Sequence, residues 1–264
     1  SEMCIRDRII ITHGTDTLQY TAALLSYVFG TDCVPVLLVS SDFPLEDERA
    51  NGMANFMRAV EFIKCREGRG VFVSYRNDRN EEADIYRGTR LLMHQPYSAR
   101  LYPLDGVSFH GKVCYNREAS MDRMERPDGQ ELRLTEDAGN ILWIRPCVGM
   151  TYPQAGPQVR AVLHDSYHSG TIAVNAGLEE FAGRMEQAGI PVYLTGASSG
   201  EAEYETVRMY EQYGIRVLPK MSLIAAYCKL WLALSNDLDV NSIMNTCIAE
   251  DIIQVGNCET LKFL

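Results

Sequence analysis

Apolar runs alternate with amphipathic segments along the first part of the chain. The run "IIITH" (9–13) is typical of a strand buried on both faces, and residues 16–29 follow with the apolar spacing of a helix. Two further buried strands are predicted at 34–40 and 70–75, with an amphipathic helix between them. The predicted buried face of that helix consists of its larger apolar side chains, Met53, Phe56, Met57, Val60 and Ile63. Strands separated by helices predict a parallel sheet with right-handed crossovers.

The pattern changes near the middle of the chain and then resumes. "VSFHGKVCYN" (107–116) resembles a hairpin, and residues 117–138 are charged, contain a Pro-Asp-Gly turn and lack a sustained apolar face, which indicates a linker. Further strands are predicted at 140–146, 160–168, 190–196 and 215–219, with helices at 178–188 and 204–213 and two terminal helices. We therefore expect an α/β protein with a larger N-terminal domain (9–116) and a smaller C-terminal α/β domain (139–264).

Composition narrows the class of protein. The chain has 264 residues, of which 46% are hydrophobic, so it can bury a substantial core. A formal net charge of −10 argues against a broad nucleic-acid surface, because phosphate binding needs clustered Lys and Arg. The eight cysteines form no CxxC pair and no metal-ligand spacing, which favours reduced thiols in a cytoplasmic protein. No apolar run approaches the roughly 20 residues that a membrane span needs.

Candidate chemistry is concentrated at "HGTDT" (13–17), where the first strand gives way to a helix. Ligands of open parallel sheets bind beyond the carboxyl ends of the strands. Gly14 would let the backbone turn tightly, and Thr15 or Asp16 would cap the helix while presenting a polar atom to the crevice. A plain Thr-Asp cap without function explains the same spacing.

The wider sequence resembles the bacterial-type L-asparaginase family. "HGTDT" followed by Leu18 and Ala22 is similar to a signature of that family, and residues 34–60 are similar to its next strand, Pro-containing loop and helix, with Asn55 in the matching place. Four later segments are similar in order and spacing to its C-terminal domain, namely 162–170, 189–200, 213–219 and 221–234. The resemblance covers most of residues 9–236 and is closer to the cytoplasmic type I branch than to the exported type II branch.

The resemblance implies an amidohydrolase that uses a threonine nucleophile and needs no cofactor. It implies that Thr15 is the second of two catalytic threonines and that Asp16 is the carboxylate that also holds the substrate α-ammonium. Gly14, Ser41 and Asp42 are the further candidates for substrate contact. The family implies a homodimer or homotetramer that acts on a small amino acid, with no nucleic acid and no membrane as partner.

Two departures from the family pattern bear on this interpretation. The first threonine of the family lies in a TGGT motif, and nothing in 1–264 matches it. Because residues 1–8, "SEMCIRDR", resemble a cloning or assembly scar, we interpret the chain as a fragment and expect it to be inactive and poorly soluble by itself. Secondly, matching residues 83–98 to the family places Arg87 where a catalytic Lys stands; Arg87 would orient Thr15 and balance Asp16 but could not act as a base.

Two alternatives to an L-asparaginase remain open at this point. One is the asparaginase-like subunit of a glutamyl-tRNA amidotransferase, which uses the same motif to produce ammonia for a partner. The other is a non-catalytic amino-acid-binding homologue that keeps Asp16 but lacks a working relay because of Arg87.

Overall fold

The computed structural model describes residues 8–65, 68–78, 81–104, 121–136, 138–197 and 205–253. The chain divides into two compact units. Unit 1 comprises Ser1–Leu132 and Thr246–Asp251, and unit 2 comprises Arg133–Asn245 and Ile252–Leu264. The division at Leu132 falls within the segment 117–138 that was predicted as a linker, whereas the return of Thr246–Asp251 to unit 1 was not predicted. The predicted hairpin at 107–116 lies outside the described residues.

Unit 1 is built on a four-stranded sheet in the order β1-β2-β3-β4. Its strands are β1 (Ile9–Thr12), β2 (Val36–Val39), β3 (Val71–Tyr75) and β4 (Asp84–Arg87), and its helices are α1 (Leu18–Phe29) and α2 (Gly52–Lys64). The first three strands are parallel, as predicted, and β4 runs antiparallel to β3. The parallel strands therefore end together at one side of the sheet, called here the carboxyl edge, and begin together at the opposite amino edge.

Strand β1 differs from the prediction that it is buried on both faces. It stands at the end of the strand order, and Ile9 is 41% exposed. By contrast, every residue of β2 and β3 is buried. An apolar run predicts a strand but not its place in the sheet, because pairing partners are not encoded in the run itself.

Helix α2 forms as predicted but buries a different face. Asn55, Ala59 and Phe62 are buried, whereas Met53 is 63% and Met57 49% exposed. The Asn55 side chain explains this rotation, since its Nδ2 donates to the Ser40 carbonyl (2.8 Å) and its Oδ1 accepts from the backbone N–H of residue 76 (2.7 Å). A polar residue that joins the ends of β2 and β3 therefore sets the buried face of the helix.

The returning segment Thr246–Asp251 completes unit 1 at the amino edge. The Arg87 guanidinium lies 3.1 Å from the Glu250 carboxylate, and both side chains are almost fully buried. The Tyr27 hydroxyl donates to Asp251 Oδ2 (2.8 Å), and the Thr89 hydroxyl donates to a backbone carbonyl of the segment (3.0 Å). Each of these contacts joins residues that are distant in sequence within one unit.

Unit 2 has a four-stranded sheet in which all strands are parallel. Its strands are β5 (Ile141–Ile144), β6 (Ala161–His164), β7 (Val192–Leu194) and β8 (Ile215–Val217). Its helices are α3 (Ala176–Gln187), α4 (Glu205–Gln212), α5 (Leu223–Ser235) and α6 (Val240–Asn245). The predicted order of strands and helices in this half is confirmed. Within the described ranges of the whole chain, no helix combines the length and the hydrophobicity needed to cross a bilayer.

Candidate functional site

The turn that follows β1 carries the HGTDT residues to the carboxyl edge of unit 1. The backbone N–H of His13 donates to the Val39 carbonyl (2.8 Å), which ties the start of the turn to β2. The His13 ring has Nδ1 2.7 Å from the Gly14 carbonyl oxygen and Nε2 2.9 Å from the Thr21 hydroxyl. Since a carbonyl only accepts, neutral His13 carries its proton on Nδ1 and its Nε2 accepts from Thr21. The His13 ring therefore links the turn to helix α1.

Helix α1 begins later than predicted. Its first residue is Leu18 and its N-cap is Thr17, whose side chain makes no capping hydrogen bond. Backbone carbonyls of Thr15 and Thr17 accept the first N–H groups of the helix. The prediction that Thr15 or Asp16 caps the helix with its side chain is therefore wrong, because both residues precede the N-cap position from which a side chain reaches those N–H groups.

Thr15 and Asp16 consequently keep their side chains available. Thr15 is half-buried and Asp16 is exposed, and with the described residues neither side chain makes a hydrogen bond or an ion pair. Gly14 also differs from expectation, because its φ lies outside the left-handed region and an added Cβ would meet no atom within 4 Å. The predicted need for glycine is thus absent, and the space beside the turn is open.

The loop after β2 contains two further predicted contact residues, and both are engaged in shaping the loop. The Ser41 hydroxyl donates to the Phe43 carbonyl (2.6 Å). Asp42 and Asn51 form a reciprocal pair, in which each backbone N–H donates to the other side chain at 3.0 and 2.9 Å. Ser40, which directly follows β2, is only 6% exposed, and its hydroxyl has no hydrogen-bond partner among the described residues.

The end of β3 adds a buried phenol to the same edge. The Tyr75 hydroxyl donates to the Ala99 carbonyl (2.6 Å), and burial raises the pKa of this phenol, with Asp42 raising it further and a hydrogen bond with Asn51 opposing the shift. Asn51 also donates from Nδ2 to the carbonyl of Arg76 (2.9 Å). Asn51 thereby fixes the loop after β2 to the chain after β3.

His94 is the residue of this edge that sequence reasoning passed over. Its ring packs edge-on against the Tyr75 ring with centroids 6.1 Å apart, and its Nε2 is buried without a hydrogen-bond partner in the described part of the chain. Burial lowers the pKa of His94, while the Arg100 carbonyl and the charge of Asp16 act in the opposite direction.

Some of these residues could have been found from sequence. Ser40 and Tyr75 stand at the ends of predicted strands, so the strand-end argument that selected the HGTDT turn applies to them too. His94 stands in a loop with no periodicity, and its packing against Tyr75 depends on tertiary structure.

Arg87 does not join the site. The register of β4 pairs it with Phe72, near the start of β3, whereas the HGTDT turn lies beyond the strand ends. Its guanidinium carbon stands 4.7 Å from the centre of the Phe72 ring, and its charge pairs with Glu250. The predicted contact in which Arg87 orients Thr15 and balances Asp16 is not made, because the antiparallel β4 carries the chain away from the carboxyl edge.

Comparison with known proteins adds the decisive observation. Residues 5–100, which include the HGTDT turn and the whole sheet of unit 1, match the model of the asparaginase N-terminal domain. Residues 5–100 therefore form an asparaginase N-terminal domain.

Relatives within this family carry two descriptions. The chain is 26% identical over 262 residues to a glutamyl-tRNA(Gln) amidotransferase subunit of Haloquadratum walsbyi, covering 93% of this chain and 58% of that protein. It is also 26% identical over 260 residues to the L-asparaginase of Thermococcus kodakarensis, covering 93% of this chain and 76% of the relative. This chain thus spans little more than half of one relative and about three quarters of the other.

A solved structure supports the fold of this chain. The thermostable L-asparaginase from Thermococcus kodakarensis superposes with a TM-score of 0.69 at 23% identity, covering 95% of this chain and 77% of that one. At this identity the similarity shows the α/β fold and does not assign the chemistry.

Proposed function

We propose that this asparaginase-family protein hydrolyses the side-chain amide of L-asparagine, giving L-aspartate and ammonia. The observation that carries the proposal is that the side chains of Thr15 and Asp16 form no hydrogen bond or ion pair with the described residues. Asn51 and Asn55, at the same edge, are paired. The motif residues are therefore available to a ligand.

The chemistry of the two side chains fits such a substrate. The Asp16 carboxylate pairs with the α-ammonium of an amino acid, and the Thr15 hydroxyl meets the amide. In a threonine mechanism a hydroxyl oxygen attacks the amide carbon, the C–N bond breaks, ammonia leaves with the hydroxyl proton, and water then cleaves the ester. A hydroxyl needs a neighbour that takes its proton, so a working site also requires a titratable group near Thr15.

The test is ammonia release from L-asparagine by protein expressed from the complete open reading frame of the source locus. Thr15→Ala should abolish release, whereas Thr17→Ala should retain it, because Thr17 is a neighbouring threonine whose side chain makes no capping bond. Equal activity in wild type and Thr15→Ala would overturn the proposal. Parallel assays with L-glutamine measure the substrate preference.

A second candidate function is favoured by the equal identity to an amidotransferase component. In that case ammonia would be produced for the amidation of glutamyl-tRNA(Gln) by a complex. Hydrolysis of free L-asparagine by the isolated protein supports the first candidate. Activity that appears only with a partner protein and glutamyl-tRNA(Gln) supports the second.

The non-catalytic binding alternative was argued from Arg87 in the relay, and the pairing of Arg87 with Glu250 removes that particular argument for it. Calorimetry with L-aspartate still separates binding from turnover. The homodimer or homotetramer and the cytoplasmic location are part of the same proposal. The mass in solution, measured by light scattering, tests the oligomer.

A further inference from the structure

Two asparagines at the start of α2 join the chain that leaves β2 to the chain that leaves β3. The backbone N–H of Arg76 donates to Asn55 Oδ1 (2.7 Å), and the Arg76 carbonyl accepts from Asn51 Nδ2 (2.9 Å). The same two side chains also bond the Ser40 carbonyl (2.8 Å) and the Asp42 N–H (3.0 Å). The asparagines therefore continue the link between β2 and β3 beyond the last paired residues of the two strands.

Ser41 lies between the two backbone groups that are held in this way. The carbonyl before it and the N–H after it are bonded, whereas its own backbone N–H and carbonyl form no hydrogen bond with the described residues. Its hydroxyl donates to the Phe43 carbonyl (2.6 Å). Ser41 is thus fixed from both sides while its backbone groups stay available, so a ligand that binds them loses little free energy in ordering the chain.

Gly52 brings the start of α2 into close contact with Ser41. A Cβ added at Gly52 would stand 2.7 Å from both the Cβ and the Oγ of Ser41. The φ of Gly52 lies outside the left-handed region, so this position requires the absence of a side chain rather than the backbone freedom of glycine. Because the Cβ of Ser41 is attached directly to its backbone, Gly52→Ala would have to displace Ser41.

The strand register places Ser41 beside the HGTDT turn. Thr12 and Val39 are Cα partners in the parallel pair of β1 and β2, and the His13 N–H donates to the Val39 carbonyl (2.8 Å). Gly14 and Ser41 each lie two residues beyond these partners. Neighbouring strands are about 4.8 Å apart, and two residues extend a chain by no more than about 7 Å. The turn and Ser41 therefore border the same part of the carboxyl edge.

We propose that Asn51, Gly52 and Asn55 form a positioning element of the candidate site and act on the substrate through Ser41. The two amides fix the chain on each side of Ser41, and Gly52 leaves the space that Ser41 occupies. The contact between Ser41 and substrate rests on the proposed function, whereas the effect of the element on ligand affinity is measurable without turnover.

The first test is Gly52→Ala in protein expressed from the complete open reading frame. This variant displaces Ser41 but removes no hydrogen-bonding group, and alanine favours a helix more than glycine does, so circular dichroism should show an intact fold. KM for L-asparagine should rise about tenfold or more while kcat changes less, because the displaced residue serves binding. Gly183→Ala in α3 is the matched control, since the added Cβ meets no atom within 4 Å, and it should change neither constant.

The second test removes the hydrogen bonds instead of adding bulk. Asn51→Ala deletes the side-chain bonds to the Asp42 N–H and the Arg76 carbonyl and should raise KM in the same way. Asn236→Ala is its control, because Asn236 is a buried asparagine of unit 2 whose side chain bonds both backbone groups of Arg133. It should lower stability and leave KM unchanged. An unchanged KM in either folded variant of the positioning element would overturn the proposal, as would an equal rise in Asn236→Ala.

Calorimetric titration with L-aspartate separates this proposal from the proposed function. The affinity for L-aspartate should fall in Gly52→Ala and Asn51→Ala by about the same factor as KM rises. Wild type that binds L-aspartate without releasing ammonia from L-asparagine would reject the proposed hydrolysis, and a loss of affinity in the two variants would still support the positioning role. Wild type that neither binds L-aspartate nor releases ammonia would overturn both.

Discussion

The two edges of the unit 1 sheet differ in how their buried polar groups are paired. At the amino edge, the buried Arg87 and Glu250 form an ion pair and the Tyr27 hydroxyl donates to Asp251, so these groups are matched by other groups of unit 1. At the carboxyl edge, Ser40 Oγ and His94 Nε2 are buried with no hydrogen-bond partner in the described ranges. A buried polar atom left unpaired costs about 1–3 kcal/mol. The comparison separates polar groups that are matched within unit 1 from polar groups that the described residues leave unmatched.

The largest effect is expected from breaking the amino edge. Glu250→Gln removes the carboxylate that pairs with the buried Arg87 guanidinium, and removing one partner of a buried ion pair costs about 3–5 kcal/mol. The free energy of unfolding of unit 1 is measurable from hydrogen exchange of the β2 and β3 peptides. Both tryptophans, Trp143 and Trp231, belong to unit 2, so their fluorescence reports that unit separately.

Two controls make this result specific. Arg87→Met combined with Glu250→Gln removes both charges and should recover most of the lost stability, because an apolar replacement of a buried pair is often neutral. Asp47→Asn breaks the exposed pair between Asp47 and Arg49 and should leave exchange in β2 and β3 unchanged. Full stability of Glu250→Gln would mean that the amino edge is not held by this pair.

A smaller effect is expected at a paired residue of the carboxyl edge. Asn55→Ala removes the two hydrogen bonds that join the strand ends and leaves the Ser40 carbonyl unpaired, which should cost about 1–3 kcal/mol. Met57→Ala lies on the exposed face of the same helix and should change stability little. Urea unfolding followed by circular dichroism compares the two variants, and a larger loss in Met57→Ala would reverse the assignment of the buried face.

Helix α2 also shows which structural features the sequence predicts and which it does not. Its existence follows from the apolar spacing, yet Met53, Phe56 and Met57 were predicted to be buried because hydrophobicity was the only available signal. The amide of Asn55 overrides that signal by bonding two strand ends that are distant in sequence. Periodicity therefore predicts that a helix forms, whereas tertiary hydrogen bonds determine which of its faces is buried.

The residues of the candidate site also fall into two groups, those that a local sequence pattern predicts and those that it does not. Thr15 and Asp16 are recognisable from a local motif at a strand end, since both motif and strand are contiguous in sequence. Arg87 was assigned to the site by matching residues 83–98 to the family, and this segment gives no signal for the antiparallel strand that ends at Arg87. The His94 ring reaches the Tyr75 ring only after that strand and the following loop fold back. Residues brought together by a reversal of chain direction are those that a linear pattern does not predict.

The smallest change in stability is expected at Thr15, which lies in the HGTDT turn at the carboxyl edge. Its side chain makes no hydrogen bond with the described residues, so Thr15→Ala should alter the free energy of unfolding by no more than about 0.5 kcal/mol, although it should abolish ammonia release. Urea unfolding by circular dichroism measures this change beside Asn55→Ala. A loss comparable to that of Asn55→Ala would assign Thr15 to the fold, and the difference between the two edges would then no longer distinguish structural from functional groups.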